Sequence, residues 1–208
     1  MKDSINSIIK SLDFEKKRKF IHLGALIIPL IYSMLDFSTF MVLFLPLYLF
    51  WVFIDYQRKN KANIAEIFNK FFGGIIRESE IKSYTGATYL GLGILITTIL
   101  FHKHTAIMAM SVLAVSDSLA AIIGTRYGHI KVGEKSLEGS AAFFVSGVMV
   151  ICFFNWFLGM KAIYLWENIF ALLVATLFEL YSKKMKLNDN LLIPIVYALI
   201  VSMLESTI

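Results

Sequence analysis

The sequence predicts an all-α, polytopic integral membrane protein of about seven transmembrane helices, its N-terminus in the cytoplasm, with short amphipathic interfacial helices. Three observations predict it. The 208 residues are 58% hydrophobic and 17% charged, against roughly 45–50% apolar and about 25% charged in a soluble domain. Apolar runs recur along the whole chain. The cations fall between alternate runs, so that one side of a membrane takes nearly all of them. The length suits one domain, taken as residues 1–208.

The apolar runs are Phe20–Leu35, Phe37–Ile54, Tyr84–Phe101, Thr105–Ile123, Ala141–Leu158, Ala162–Tyr181 and Leu191–Met203. A crossing helix takes about 20 residues, with a range of about 17–25. The first and last runs are short, and six spans with a re-entrant first run is the alternative count. No small-residue cleavage site follows the first run, which reads as a span and not as a secretion signal. With a cytoplasmic N-terminus, every Lys and Arg of the 20 except Lys103 and Lys161 lies on the cytoplasmic side, as the positive-inside rule requires. That split accounts for the net charge of +5 and removes the case for a nucleic-acid partner. Two cytoplasmic segments are amphipathic: the N-terminal 1–19, with Ile5, Ile8, Ile9 and Leu12 at helical spacing, and the loop 59–82, with Ile64, Ile67, Phe68, Phe71 and Phe72. Each lies either in the membrane interface or against the rest of the protein. Tyr164 and Trp166 suit an outer aromatic belt. Cys152 is the single cysteine, so no internal disulfide forms.

The polar residues of the runs collect at one depth. His22 lies just inside the first, Asp55 and Arg58 end the second, and Glu78 and Glu80 precede Tyr84-Thr85-Gly86-Ala87-Thr88-Tyr89. Glu179 closes the sixth, and Asp189-Asn190 precedes the last. Asp117 sits inside the fourth run, where a carboxylate costs about 2.5–3.5 kcal/mol on insertion scales. Polar groups at one depth imply a water-filled cavity, here on the cytoplasmic side, where nucleotide is available.

The segment 124–139 reads as a nucleotide-binding loop. Gly128-His129-Ile130-Lys131-Val132-Gly133-Glu134-Lys135-Ser136 comes close to a P-loop but has one residue too many, and it follows a membrane helix instead of a strand, which excludes a true P-loop nucleoside triphosphatase. The chemistry of such loops still applies. Gly124 and Gly128 let backbone N–H groups approach phosphate, and Lys135, with Arg126 or Lys131, offsets its charge. Ser136, Glu138 and Gly139 stand at the start of the next helix, whose dipole favours an anion. Asp117 suits Mg²⁺, which takes one or two carboxylates and completes its shell with water and phosphate; the alternative is a structural aspartate paired to Lys135 or Arg126. Glu138 is a second candidate ligand or a helix cap. His22 reads as a base, a phosphate contact or an interface histidine, and Glu179 as functional or interfacial.

These blocks, in order, resemble the family of dolichol kinases, phytol kinases and CTP-dependent diacylglycerol kinases. The resemblance runs through Arg18-Lys19-Phe20-Ile21-His22, Arg77-Glu78-Ser79-Glu80 with Thr85-Gly86-Ala87-Thr88-Tyr89, then Asp117 through Gly139, and finally Glu179, Asp189-Asn190 and Pro194. It implies transfer of the γ-phosphoryl of CTP, with Mg²⁺ or another divalent cation, to the hydroxyl of a lipid alcohol at the cytoplasmic face. Asp117, Lys135, Glu138 and His22 are then the catalytic candidates. Gly124, Arg126, Gly128, Lys131, Lys135, Ser136 and Gly139 contact nucleotide, while Glu78, Gly86, Thr88, Glu179, Asp189 and Asn190 stand around the lipid or behind the site. The Asp117–Gly139 block also resembles CDP-diacylglycerol synthases, so a cytidylyltransferase is the alternative enzyme and a small transporter the alternative outside catalysis. The lipid alcohol (a polyprenol, phytol or diacylglycerol), CTP against ATP, the general base and self-association into a homo-oligomer are left open at this stage.

Overall fold

The computed structural model describes residues 17–77, 80–159, 164–182, 184–185 and 187–205. The expected interfacial helix around Ile5–Leu12 and the candidate Glu78 lie outside these. Ten helices and one short hairpin make up the described chain. Helix α1 covers residues 17–24 and a turn at residues 25–26 separates it from α2, Ile27–Met34. Helix α3, Phe37–Asn60, opens on Asp36, whose carboxylate accepts from the Thr39 N–H at 3.0 Å and from its hydroxyl at 2.7 Å, satisfying donors a helix start leaves free. Lys61 is extended and ends it. Then follow α4 (Ala62–Phe72), α5 (Gly86–Leu100), α6 (Lys103–Val112) and α7 (Ser118–Tyr127). Strands β1 (Lys131–Val132) and β2 (Lys135–Ser136) come next, and α8 (Leu137–Phe157), α9 (Tyr164–Tyr181) and α10 (Asp189–Glu205) complete the order.

The centre of the molecule is α6, in which every residue from Thr105 to Val112 is buried. It packs on α2, α5, α8 and α10, and the core closes around Tyr32, Ile107, Phe143, Ile151, Ile193 and Tyr197. Helix α3 lies at the edge, with Val42, Leu47, Phe50 and Phe53 exposed, as a lipid-facing helix would present them. In α4 the amphipathic residues divide: Phe68 and Phe72 pack on Trp51 with ring centroids 5.8 and 5.6 Å away, while Ile67 and Phe71 face outward. The inner face of that segment thus packs against the rest of the protein.

The span count is corrected. Three helical stretches among the described residues are long and apolar enough to cross a membrane, Phe37–Asn60, Lys103–Tyr127 and Leu137–Phe157, not about seven. Among the described residues the other apolar runs do not make helices of that kind. The first is broken at residues 25–26, leaving α2 with 8 residues, and α5 has 15, short of the roughly 20 that a hydrocarbon core requires. Helix α10 has 17 residues, and α9, with 18, carries Glu167 and Glu179. A buried apolar helix in a bundle has the same composition as a short span, so periodicity alone does not separate them. The chain is also not purely helical: the middle of the expected nucleotide loop is an antiparallel hairpin, Lys131 opposite Ser136 and Val132 opposite Lys135.

Candidate functional site

Asp117 stands at a break in a helix. The stretch Lys103–Tyr127 is continuous except for one wide, π-type turn over Leu113–Asp117; such turns re-aim side chains and recur at functional sites. Asp117 is 3% exposed. Its partner is neither Lys135 nor Arg126 but Lys19 of α1, whose ammonium donates to Oδ2. His22, one turn on from Lys19, brings Nε2 to 3.6 Å from the same oxygen. Ser118 fixes this crossing by donating to the Lys19 carbonyl at 3.2 Å and to the Ala114 carbonyl at 2.7 Å.

A second ion cluster faces the first. The hairpin turns on Gly133, at φ +64°, a left-handed conformation that glycine adopts without steric cost, and this brings Lys135 inward. Its ammonium donates to Glu179 Oε1 at 2.5 Å and to Asp189 Oδ2 at 3.5 Å, and Ser140 donates to Glu179 Oε2 at 3.0 Å. Burial works to lower the Lys135 pKa, but Asp117, Asp189 and Glu179 outweigh it and hold the ammonium above its ordinary range. Burial takes His22 the other way, below the ordinary imidazole range, against the pull of Asp117.

The two clusters share the wall of a cavity of about 430 Å³. Among the described residues five cations line it, Arg18, Lys19, Arg77, Lys131 and Lys135, with Asp117, Glu134, Glu179 and Asp189 as the carboxylates. Gly124, Ser136 and Gly139 form its floor, where α7 and α8 touch: a Cβ on Gly124 would lie 3.3 Å from the Gly139 Cα, and one on Gly139 3.0 Å from the Ala120 carbonyl oxygen. Gly128 is packed as closely on Ser136. Ser136 also caps α8, accepting from the Gly139 N–H at 3.2 Å.

Other candidates stand elsewhere. Arg126 is exposed, its guanidinium 5.2 Å from the Tyr127 ring centroid. Glu138 accepts from the backbone N–H of His129 at 2.9 Å and of Ile130 at 3.1 Å, tying the hairpin to α8, and it is not among the residues that line the cavity with Asp117. Among the described residues no three His, Cys, Asp or Glu side chains gather tightly enough to hold a metal on their own. Asp117 therefore fits an ion that arrives with phosphate oxygens, as Mg²⁺ does. Thr88 donates to Asp55 Oδ2 at 2.5 Å, in a saturated network where Arg58, Thr85 and Thr88 all donate to Asp55. Asn190 donates to the Gly86 carbonyl at 2.9 Å.

A second cavity, of about 350 Å³, adjoins the first. Its walls are mostly apolar, with Trp51, Phe68 and Phe72 on one side and Ala87 and Leu90 on another. His22, Gly86 and Asn190 line it, and Arg18 lines both cavities. Sequence reasoning had no route to this aromatic wall, because its members come from α3 and α4 and meet only in the fold. Lys19 was legible: it lies three residues before His22, on the same face of any helix through both.

Comparison with known proteins follows this geometry. An uncharacterized protein of Rickettsia prowazekii is 34% identical over 193 residues, 91% of this chain and 94% of its own length. The chain belongs to that protein's family. One of Methanocaldococcus jannaschii is 37% identical over 56% of this chain and 58% of its own. The CTP-dependent diacylglycerol kinase 1 of Saccharomyces cerevisiae is 33% identical over 58% of this chain but only 38% of the kinase. At family level the chain is a distant homologue of CTP-dependent diacylglycerol and dolichol kinases. No family model and no solved structure matches it.

Proposed function

We propose that the protein is a membrane lipid kinase that transfers the γ-phosphoryl of CTP to the hydroxyl of a lipid alcohol, at a site open to the cytoplasm. The observation that carries this reading is the meeting of a cation-lined cavity with an apolar one at Asp117 and His22. Homology to the CTP-dependent kinases supports the donor, and the cation distribution supports the cytoplasmic opening.

Phosphoryl transfer needs positioning and charge stabilisation more than covalent help from the protein. Lys19, Lys135, Lys131, Arg18 and Arg77 supply charge around the triphosphate. Asp117 would hold a Mg²⁺ whose charge offsets that of the phosphates. The acceptor oxygen bonds to the γ-phosphorus, the bond from that phosphorus to the β–γ bridging oxygen breaks, and CDP leaves with the electron pair. The hydroxyl proton passes to His22 Nε2, which lines the apolar cavity, and then to water. Purified protein given γ-labelled CTP or ATP and a panel of lipid alcohols should place label in the lipid phase. Label recovered only in pyrophosphate would identify a cytidylyltransferase and defeat the proposal.

A further inference from the structure

Two polar atoms in the apolar cavity lack what buried polar atoms normally have. His22 Nε2 and Trp51 Nε1 are both buried with no hydrogen-bond partner among the described residues, although such atoms are satisfied in the great majority of cases. The His22 side chain is 10% exposed, and both residues line the same cavity. Leaving a buried donor or acceptor unpaired costs about 1–3 kcal/mol, so the pair points to a ligand that carries a hydroxyl into an otherwise greasy space.

The charges of that cavity say which ligand. Among the described residues that line it, Arg18, at the seam with the polar cavity, is the one Lys or Arg, and Glu80 is the one carboxylate. A lipid phosphate held within these apolar walls would meet Glu80 and lose water with only Arg18, among the described lining residues, to replace it. A neutral alcohol meets neither penalty. We infer that the cavity between α1, α3, α4 and the start of α5 is the acceptor site, that it selects a neutral lipid alcohol over a lipid phosphate, and that His22 Nε2 and Trp51 Nε1 position the hydroxyl beside Asp117. The 3.6 Å from His22 to Asp117 then places the acceptor oxygen at the boundary of the two cavities. The wall contributed by α4, whose outer residues Ile67 and Phe71 are exposed, gives the alkyl chain an exit toward lipid. This inference rests on the kinase reading for its chemistry but not for its test.

The test is binding without nucleotide. Trp156 and Trp166, 77% and 75% exposed, are replaced by Phe so that Trp51 is the single tryptophan. The full chain in dioleoylphosphatidylcholine nanodiscs is titrated with hexadecanol and with hexadecyl phosphate. Saturable change in Trp51 emission with the alcohol, at least about 10-fold weaker with the phosphate, is expected. His22→Phe should weaken the alcohol about 2- to 13-fold, the effect of one hydrogen bond, with His22→Gln in between. Ala87→Phe fills the cavity from an exposed position and should abolish the response in a protein that still folds. Equal or tighter binding of the phosphate, or an Ala87→Phe variant that responds like the parent, overturns the inference. An alcohol that binds as described while no label is transferred to it leaves the acceptor site standing and defeats the kinase reading instead.

Discussion

The pairing of Lys19 with Asp117 separates a stabilising role from a chemical one. Both side chains are about 5% exposed or less. Removing one partner of such a pair strands the other charge, at a cost of about 3–5 kcal/mol, whereas replacing both by apolar groups is often neutral. For a chain of this size each kcal/mol moves Tm by about 2–4 °C. Lys19→Met alone and Asp117→Leu alone should therefore each lower Tm by roughly 6–20 °C. The double variant should recover most of that loss and still fail to transfer phosphoryl, because the groups facing the nucleotide are gone. Asp117→Asn, nearly isosteric, should fold and lose activity by about 10²–10³-fold, the scale for removing one preorganised charge-stabilising group. Thermal unfolding in detergent, followed by tryptophan emission, reads the first quantity, and label transfer from γ-labelled CTP reads the second. A double variant with normal turnover would show that the pair is only a staple, and Lys19→Met with an unchanged Tm would refute the buried-pair energetics.

Two further outcomes follow from the same kind of accounting. Asp55 is fully buried and receives Arg58, Thr85 and Thr88, so Asp55→Ala leaves the guanidinium buried without its carboxylate and should lower Tm by roughly 6–20 °C; a shift within about 2 °C contradicts that network. Lys135 has its pKa raised above the ordinary 10.5, so its pairing contributes fully below that pH and is lost as pH rises through the folded value. Tm should fall with rising pH above about 10.5 in the parent by more than in Lys135→Met, and parallel alkaline limbs would refute the assignment.

How far the sequence could be read depends on which physical rule each feature obeys. Asp117 was legible because a carboxylate in an apolar run is costly wherever the run goes. Its fold neighbours Glu179 and Asp189 were legible as part of one group, since each sits at the polar end of an apolar segment, and Lys135 as a cation of the loop 124–139. The number of spans was not legible. A helix buried in a bundle and a helix buried in lipid obey the same composition rule, and only the structure shows Thr105–Val112 enclosed by protein while α3 is bare. For Glu138 the sequence offered a ligand or a cap, and residue type does not separate them: at the first turn of a helix a glutamate has backbone N–H groups in reach, and here it takes those of His129 and Ile130. The Gly124–Gly139 contact had no sequence signal to distinguish it from a phosphate cradle, because close helix packing and close backbone approach both demand the same missing Cβ.

The ion pairs themselves bear on how such a site accepts its substrate. Lys19 holds Asp117, and Lys135 holds Glu179 with Asp189, so each buried cation already has a carboxylate. A triphosphate alone must compete with those carboxylates for the lysines. A triphosphate carrying a divalent cation would not, since the carboxylates would be available to hold the metal and the lysines to meet the phosphates. Each lysine and each carboxylate would then keep a partner of opposite charge, which a buried ion requires. The same balance argues against a phosphorylated acceptor entering beside Asp117, where it would add negative charge with no cation released to meet it, and in favour of a neutral hydroxyl presented from the apolar side at His22.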